Sequence, residues 1–408
     1  MLVHWIWLAE RPSVNLRTKW ELLQHFSDPE DIFHADADAF EQIQGLDAPA
    51  KAALTDHDLS EAGRILERCI ENKIHLLTIL DRAYPSRLRT IYDPPVLLYY
   101  KGTVPDFDTA VGVVGTRHPS VYGSQVAGRM GREIAACGGL VVSGLAAGID
   151  SMAMSGALSV RRPTVGVLGC GVDVVYPKRN KDLFKQVERN GCILSEFAPG
   201  TPPARWNFPK RNRIISGISA GVLVIEAPEK SGSLITASSA VEQNRDVFVV
   251  PGNLDATGFV GSNRLLRSGA IAVSCGWDVM SEYAYQFPDK VKRADPPETA
   301  PEKPQSRVAQ QPRIPVETGE AQKEFNKIYV DNGSPEPYID VNDILTGLTS
   351  DERTVVSAIT KQEQPVDEII ASVEMSSGKV LAILTMLELK GKIIRHPGKR
   401  VSLAAKQI

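Results

Sequence analysis

What this 408-residue sequence lacks narrows it first. No apolar run approaches the ~20 residues that a membrane-spanning helix needs. The N-terminal MLVHWIWLAERP has no basic residue ahead of its short apolar stretch, so it does not read as a signal peptide, and no membrane partner is expected. The five cysteines, Cys69, Cys137, Cys170, Cys192 and Cys275, are scattered with no C-x-x-C pair. That spacing argues against a zinc site or a disulfide framework and for reduced thiols in a cytoplasmic protein. Strong net charge is also missing, at −3.

The small net charge hides an asymmetry. Residues 1–108 carry −7, residues 109–285 carry +5, residues 286–345 carry −3 and residues 346–408 carry +2. A polyanion is therefore to be sought at the middle and the tail.

Apolar spacing divides the chain. TKWELLQHF, DPEDIFHA and DLSEAGRILERCIENKI have helical period and Asp or Ser start signals, so residues 1–83 read as an N-terminal helical domain. Within it IQGLDAPAKAAL resembles a helix-hairpin-helix with Gly45 at the turn, a SAM- or helix-hairpin-helix-like layout. Residues 84–108 read as a connector feeding a sheet through VLLYY. The core, residues 84–287, alternates wholly apolar strands (TAVGVVG, GLVVSG, PTVGVLG, CILSEF, AGVLVIEA, DVFVVPG) with helices of about a dozen residues. This pattern predicts an α/β fold: an extended Rossmann-like, doubly wound parallel sheet with helices on both faces. Residues 288–345 are rich in Pro, Gln, Glu and Lys and cannot bury enough apolar surface to fold, so they read as a disordered linker. Residues 346–408 read as three helices and a hairpin tipped by Pro397-Gly398, a winged-helix domain, with five cations and no acid from Lys390 to Arg400.

The turns that follow the core strands suit anions. Gly115, Thr116 and Arg117 end the first strand; Ser143, Gly144 and Gly148 precede a helix; GCGVDVVYPKRN ends on Lys178 and Arg179; and Ser231, Gly232 and Ser233 open another helix. Free N–H groups and the helix dipole attract phosphates at such places. One turn of this kind is usually just a tight connection. Four at one sheet edge are harder to dismiss. A dinucleotide would require G-x-G-x-x-G, but GCGVDV has Val174 where the third glycine belongs, and no G-x-x-x-x-G-K-[ST] occurs. No cofactor is expected. A polymer remains, because NFPKRNRIISG reads as a turn into a helix that places Phe208 beside Lys210, Arg211 and Arg213, with Trp206 nearby. Cations that track a backbone and rings that stack on bases are what single-stranded nucleic acid binding requires. For Phe208 and Trp206 the alternative is core packing. For Arg213 it is an internal ion pair with Glu196 or Glu226.

Taken together, VVGTR, SGLAAGID, GxGxDxxYP, SEFxPGTPP, NFPKRNRIISG, EAxxxSGSLITA and VFVVPG resemble the DNA-processing protein A family (DprA, also called Smf). They run in the family's order over roughly residues 111–270. The resemblance implies a single-stranded DNA-binding protein that protects incoming DNA and loads the RecA recombinase in natural transformation, with no catalytic residues. It also implies a homodimer through the core. The family's basic pair falls on Arg117 and Lys178, and the FPxRNR block brings Phe208, Lys210, Arg211 and Arg213 to the same rim, with Phe208 and Arg211 the first choices. One departure is Met154, where the family often has His. The winged helix is expected to contact duplex DNA or a protein, because its third helix is poor in residues that read base edges.

A rival class is the nucleotide phosphoribohydrolase, which shares this kind of core but needs a glutamate in a PGGxGTxxE loop. The loop here, EKSGSLITASSAV, has none in place, and Glu242 comes too late, so there is no positioned acid or base to propose.

Overall fold

The computed structural model describes residues 2–41, 43, 45–294, 348–359, 364–373, 375–390, 392–396 and 400–403. Most of the linker expected at 288–345, and the hairpin tip at Pro397-Gly398, lie outside the described residues. The chain divides into two compact units, residues 1–303 and 304–408.

In the first unit nine strands form one sheet: β1 (His75–Thr78), β2 (Leu97–Gly102), β3 (Ala110–Val114), β4 (Leu140–Ser143), β5 (Thr164–Val167), β6 (Cys192–Ser195), β7 (Gly221–Val224), β8 (Asp246–Val249) and β9 (Ile271–Ala272). Their order is β1-β2-β6-β5-β4-β3-β7-β8-β9. From β6 to β9 every pairing is parallel, with Val111 opposite Gly221 and Val142 opposite Val165. Only the β1–β2 and β2–β6 pairs of this sheet are antiparallel. Strands β3 to β7 are buried at every position, as expected for a parallel sheet covered on both faces. Strand β1 lies ahead of residue 84, in a stretch that the sequence pattern assigns to helices. Four residues, HLLT, carry too little period to announce a strand.

The helices that frame the sheet and its edge include α1 (Leu2–Glu10), α2 (Leu16–Phe26), α3 (Val121–Ala136), α4 (Ile149–Ser159), α5 (Lys181–Asn190), α6 (Asn207–Ile218), α7 (Gly232–Glu242) and α8 (Gly276–Ala284). Helices α8, α3, α4 and α5 pack side by side, and α6 packs on α7. The α3–α4 contact is backbone to backbone. A Cβ on Gly131 would lie 2.0 Å from the Ala153 carbonyl oxygen, and one on Gly156 would lie 2.1 Å from that of Gly128.

Helix α1 is nearly all apolar and buries Trp5, Ile6, Trp7 and Leu8. One hydrophobic cluster runs without a break from these residues through the sheet to Val291. Beside it lies a buried polar exception. Lys19 of α2 donates to the Ala9 carbonyl, and Glu10 accepts from the Tyr99 hydroxyl at 3.2 Å. Burial drives the Lys19 amine down to about 8, with Glu10 pulling the other way. All five cysteines are free thiols, and four are buried. Among the described residues no helix is long and apolar enough to cross a membrane.

In the second unit helices Ser350–Ser357, Val366–Ser372 and Ser377–Leu389 accompany a three-stranded sheet of Gln364–Pro365, Ile393–His396 and Arg400–Leu403. Val355, Ile369, Val380, Leu384, Leu387 and Val401 form its core. The first helix is closed by a capping box between Thr349 and Glu352. Glu352 also accepts from Lys390 at 2.7 Å. One cation of the basic run is thus internally paired.

Candidate nucleic-acid interface

The strand order reverses between β3 and β7, whose following turns lead away to opposite sides. In open α/β sheets such a switch point leaves a crevice at the carboxyl ends of the strands. Here it is an open crevice of about 610 Å³, lined by the turns after β3, β4 and β7 and by the start of α6.

Three of the four glycine turns carry their own anion. Gly148 (φ +83°) bends the chain sharply into α4, and Asp150 then folds back to accept from the Gly144 amide at 3.0 Å. The Ala146 amide also supports this carboxylate. Ser143 donates to the Val113 carbonyl at 2.6 Å and is fully buried. Burial raises the Asp150 carboxyl above its ordinary range, and Arg211 and the two amides oppose the rise. After β3, Glu226 accepts from the Ser120 amide and hydroxyl at 3.0 and 2.7 Å, while the Thr116 amide donates to the Glu226 carbonyl at 2.7 Å. After β5, Asp173 accepts from the Gly200 amide at 2.7 Å and pairs with Arg68 at 2.9 Å. Gly115, Thr116, Ser143, Gly144 and Gly148 therefore shape the turns, and the amides of Thr116 and Gly144 already have internal acceptors. The turn that opens α7 is different: Ser231 caps Ser233, with no carboxylate bonded to either among the described residues, and both line the crevice beside Lys230.

The NFPKRNRIISG stretch is helix throughout, α6 beginning at Asn207, not a turn that precedes one. Helical spacing separates its cations. Arg211, three residues after Phe208, faces inward and is only 5% exposed. Its Nη1 donates to the carbonyls of Gly144 (2.8 Å) and Val167, and its Nε to Asn212 Oδ1 at 3.0 Å. Arg213 is buried as well, paired with Glu196 and with Asp93 at 3.1 Å. Of the destinations open to Arg213, the carboxylate is the one observed. Lys210 points the other way and is exposed.

Phe208 is half-buried against Gly169. The Arg117 guanidinium lies 5.0 Å from its ring centre, and the Tyr176 ring lies 5.8 Å away, tilted by 34°. The ring both packs and lines the crevice. Arg117, Arg205 and Lys230 line the crevice with it, Arg179 lines a smaller pocket on which Phe208 and Arg117 also border, and Lys178 precedes Arg179 in the chain; all five are exposed and none is in an ion pair among the described residues. Asn180 fixes the Lys178 turn by donating to the Leu145 carbonyl at 2.9 Å. Trp206, 72% exposed, is the N-cap residue of α6. Sequence reasoning missed Arg205, Lys230 and Asp150. The first two directly precede marked features, Trp206 and the SGS turn, and Asp150 closes the SGLAAGID motif. Asp150 is the single carboxylate among the residues lining the crevice, and it is bonded to the Gly144 amide. Among the described residues no group of acidic, His or Cys side chains could hold a metal ion.

The chain is similar to several known proteins. Residues 75–284 match the family described as DNA recombination-mediator protein A, and residues 343–399 match the DprA winged helix domain. A protein from Synechocystis sp. named Smf is 33% identical over 404 residues, covering 97% of both chains. The DNA processing protein DprA of Bacillus subtilis is 42% identical over 54% of this chain and 74% of its own. The X-ray structure of DNA processing protein A from Streptococcus pneumoniae superposes with a TM-score of 0.61 at 34% identity, over 69% of this chain and 98% of that one. With that coverage, and with the motif-bearing turns meeting at one crevice, the chain belongs to the DNA recombination-mediator protein A family.

Proposed function

We propose that this protein acts in DNA processing by binding single-stranded DNA along the crevice at the β3/β7 switch point. One observation carries the reading: three cations without an ion pair among the described residues, Arg117, Arg205 and Lys230, line the crevice with a half-buried aromatic ring, with Arg179 in the adjoining pocket, at an opening whose single carboxylate is committed internally. Phosphates would meet Arg117, Lys178, Arg179, Arg205 and Lys230, and the Ser231–Ser233 turn. Bases would stack on the exposed edge of Phe208 and on Trp206. A duplex offers no free base faces, so single strands should be preferred. Arg211 and Arg213 hold the wall in place and touch no phosphate.

The family resemblance extends the proposal. The bound strand is protected in the cytoplasm and handed to the RecA recombinase during transformation or recombination, and the protein works as a homodimer through the core. The winged helix would add a duplex or protein contact.

The test is a salt titration. For single strands log K falls with log salt by about 0.7 per phosphate neutralised, so five rim cations give a slope of about −3.5. Inclusion of Arg211 and Arg213 would steepen it to about −5. A flat salt dependence, or tighter binding of duplex than of single strands, would remove the reading.

A further inference from the structure

The far side of α6 carries a second feature that the crevice does not use. Tyr92 is 74% exposed, yet its ring is not loose. The Arg17 guanidinium lies 4.8 Å from the ring centre, and Arg17 is itself fixed by Glu21 at 2.9 Å. One face of Tyr92 is thus backed by a cation and the other is open. The ring borders a polar groove of about 910 Å³ between the N-terminal helices and the core, whose lining includes Thr18, Gly45, Asp93 and Lys210. The groove's two acids are already matched, Glu21 by Arg17 and Asp93 by Arg213. Lys210 is exposed and has no ion pair among the described residues.

Continuity identifies the occupant. Phe208 and Lys210 share the first turn of α6, with Phe208 in the crevice and Lys210 in the groove. Two residues apart on a helix they face nearly opposite sides, about 3 Å apart along the axis. A strand leaving the crevice has to cross only the end of α6, about 10 Å in diameter, to reach Lys210 and then the open face of Tyr92. We infer that the groove is a second stacking station for the same single strand, with Tyr92 as the platform, Arg17 as its backing and Lys210 as the phosphate contact between the two sites. This rests on the crevice reading and assigns a ligand to the N-terminal helical segment, which includes Gly45.

The experiment uses the full chain and fluorescence anisotropy with labelled oligothymidylates of about four, eight and sixteen nucleotides, the span over which single-strand sites fill. Tyr92→Ala should bind the shortest strand as the wild type does and lose roughly fivefold to 150-fold for the longest, the equivalent of one stacked base. Tyr92→Phe should restore the loss, because stacking needs the ring and not the hydroxyl. Lys210→Gln should show the same dependence on length. Arg117→Ala is the internal control, since it should weaken strands of every length. If Tyr92→Ala and Lys210→Gln match the wild type at all lengths while Arg117→Ala is weak, the groove assignment is overturned and the crevice stands. If Arg117→Ala also matches the wild type, both readings fall.

Discussion

Arg211 gives the sharpest separation between a side chain that holds the fold and one that holds DNA. Arg211→Met keeps most of the stem's apolar contact and removes the guanidinium. The carbonyls of Gly144 and Val167, at the ends of β4 and β5, then lose a charged donor each, at about 1–3 kcal/mol apiece. Asp150 loses its neighbouring positive charge in a buried site. Together these put the cost at about 3–5 kcal/mol, the range for leaving a buried charge uncompensated. Against the roughly 5–15 kcal/mol that hold a domain folded, this is a large fraction. Urea unfolding followed by circular dichroism should show the midpoint falling with the slope unchanged. Arg117→Ala, at an exposed position, should stay within about 0.5 kcal/mol of the wild type and lose strand affinity. Adding Asp150→Asn to Arg211→Met should recover part of the loss, since the two sites share one network. If Arg211→Met unfolds with the wild type and fails only in binding, its guanidinium faces the strand, and its internal role is wrong.

Three more outcomes are expected of the same structure. Arg213→Met should cost about 3–5 kcal/mol by stranding the buried Glu196, and Glu196→Gln in the same chain should relieve it; thermal unfolding of the three variants decides this. Phe208→Ala should weaken single-strand binding by about 1–3 kcal/mol, read by anisotropy, and a variant of unchanged affinity would confine the ring to packing. Lys19 keeps its proton to pH 10.5 when unfolded but only to about 8 when folded. Between those values the unfolded chain binds more protons, so stability should rise with pH, by up to about 3 kcal/mol. Lys19→Met should lack that rise, and parallel unfolding curves from pH 7.5 to 10 would contradict the buried amine.

The parallel sheet was legible because its strands are apolar at every position, and few other structures tolerate such runs between helices. The short antiparallel edge was not: HLLT is too brief to show alternation. The glycine turns were correctly located at one edge, but their electrostatics were not legible. Asp150, Asp173 and Glu226 neutralise three of them, and proximity of that kind depends on the tertiary fold. The misplaced cations had a readable signal. Once the helix is started at Asn207, Phe208, Arg211, Asn212 and Ile215 share one face by their i, i+3, i+4, i+7 spacing, while Lys210 falls on another. Where the helix began decided that Arg211 lies inside and Lys210 outside. Lys230 and Arg205 escaped notice because isolated surface cations carry no pattern of their own.

The reversal of strand order has a consequence for how this protein comes into being on the ribosome. One wall of the crevice, with Arg117 and Tyr176, is encoded before residue 200. The other, with Phe208, Lys230 and the Ser231 turn, is encoded after it. Strand β7 must slot beside β3, more than a hundred residues earlier in the chain, before the two walls face each other. On the proposed reading, a nascent chain therefore cannot capture a strand while it is half made. The partly exposed linking segment near residues 202–205 is the natural place to divide the gene into two pieces, neither of which has both walls of the crevice until they meet.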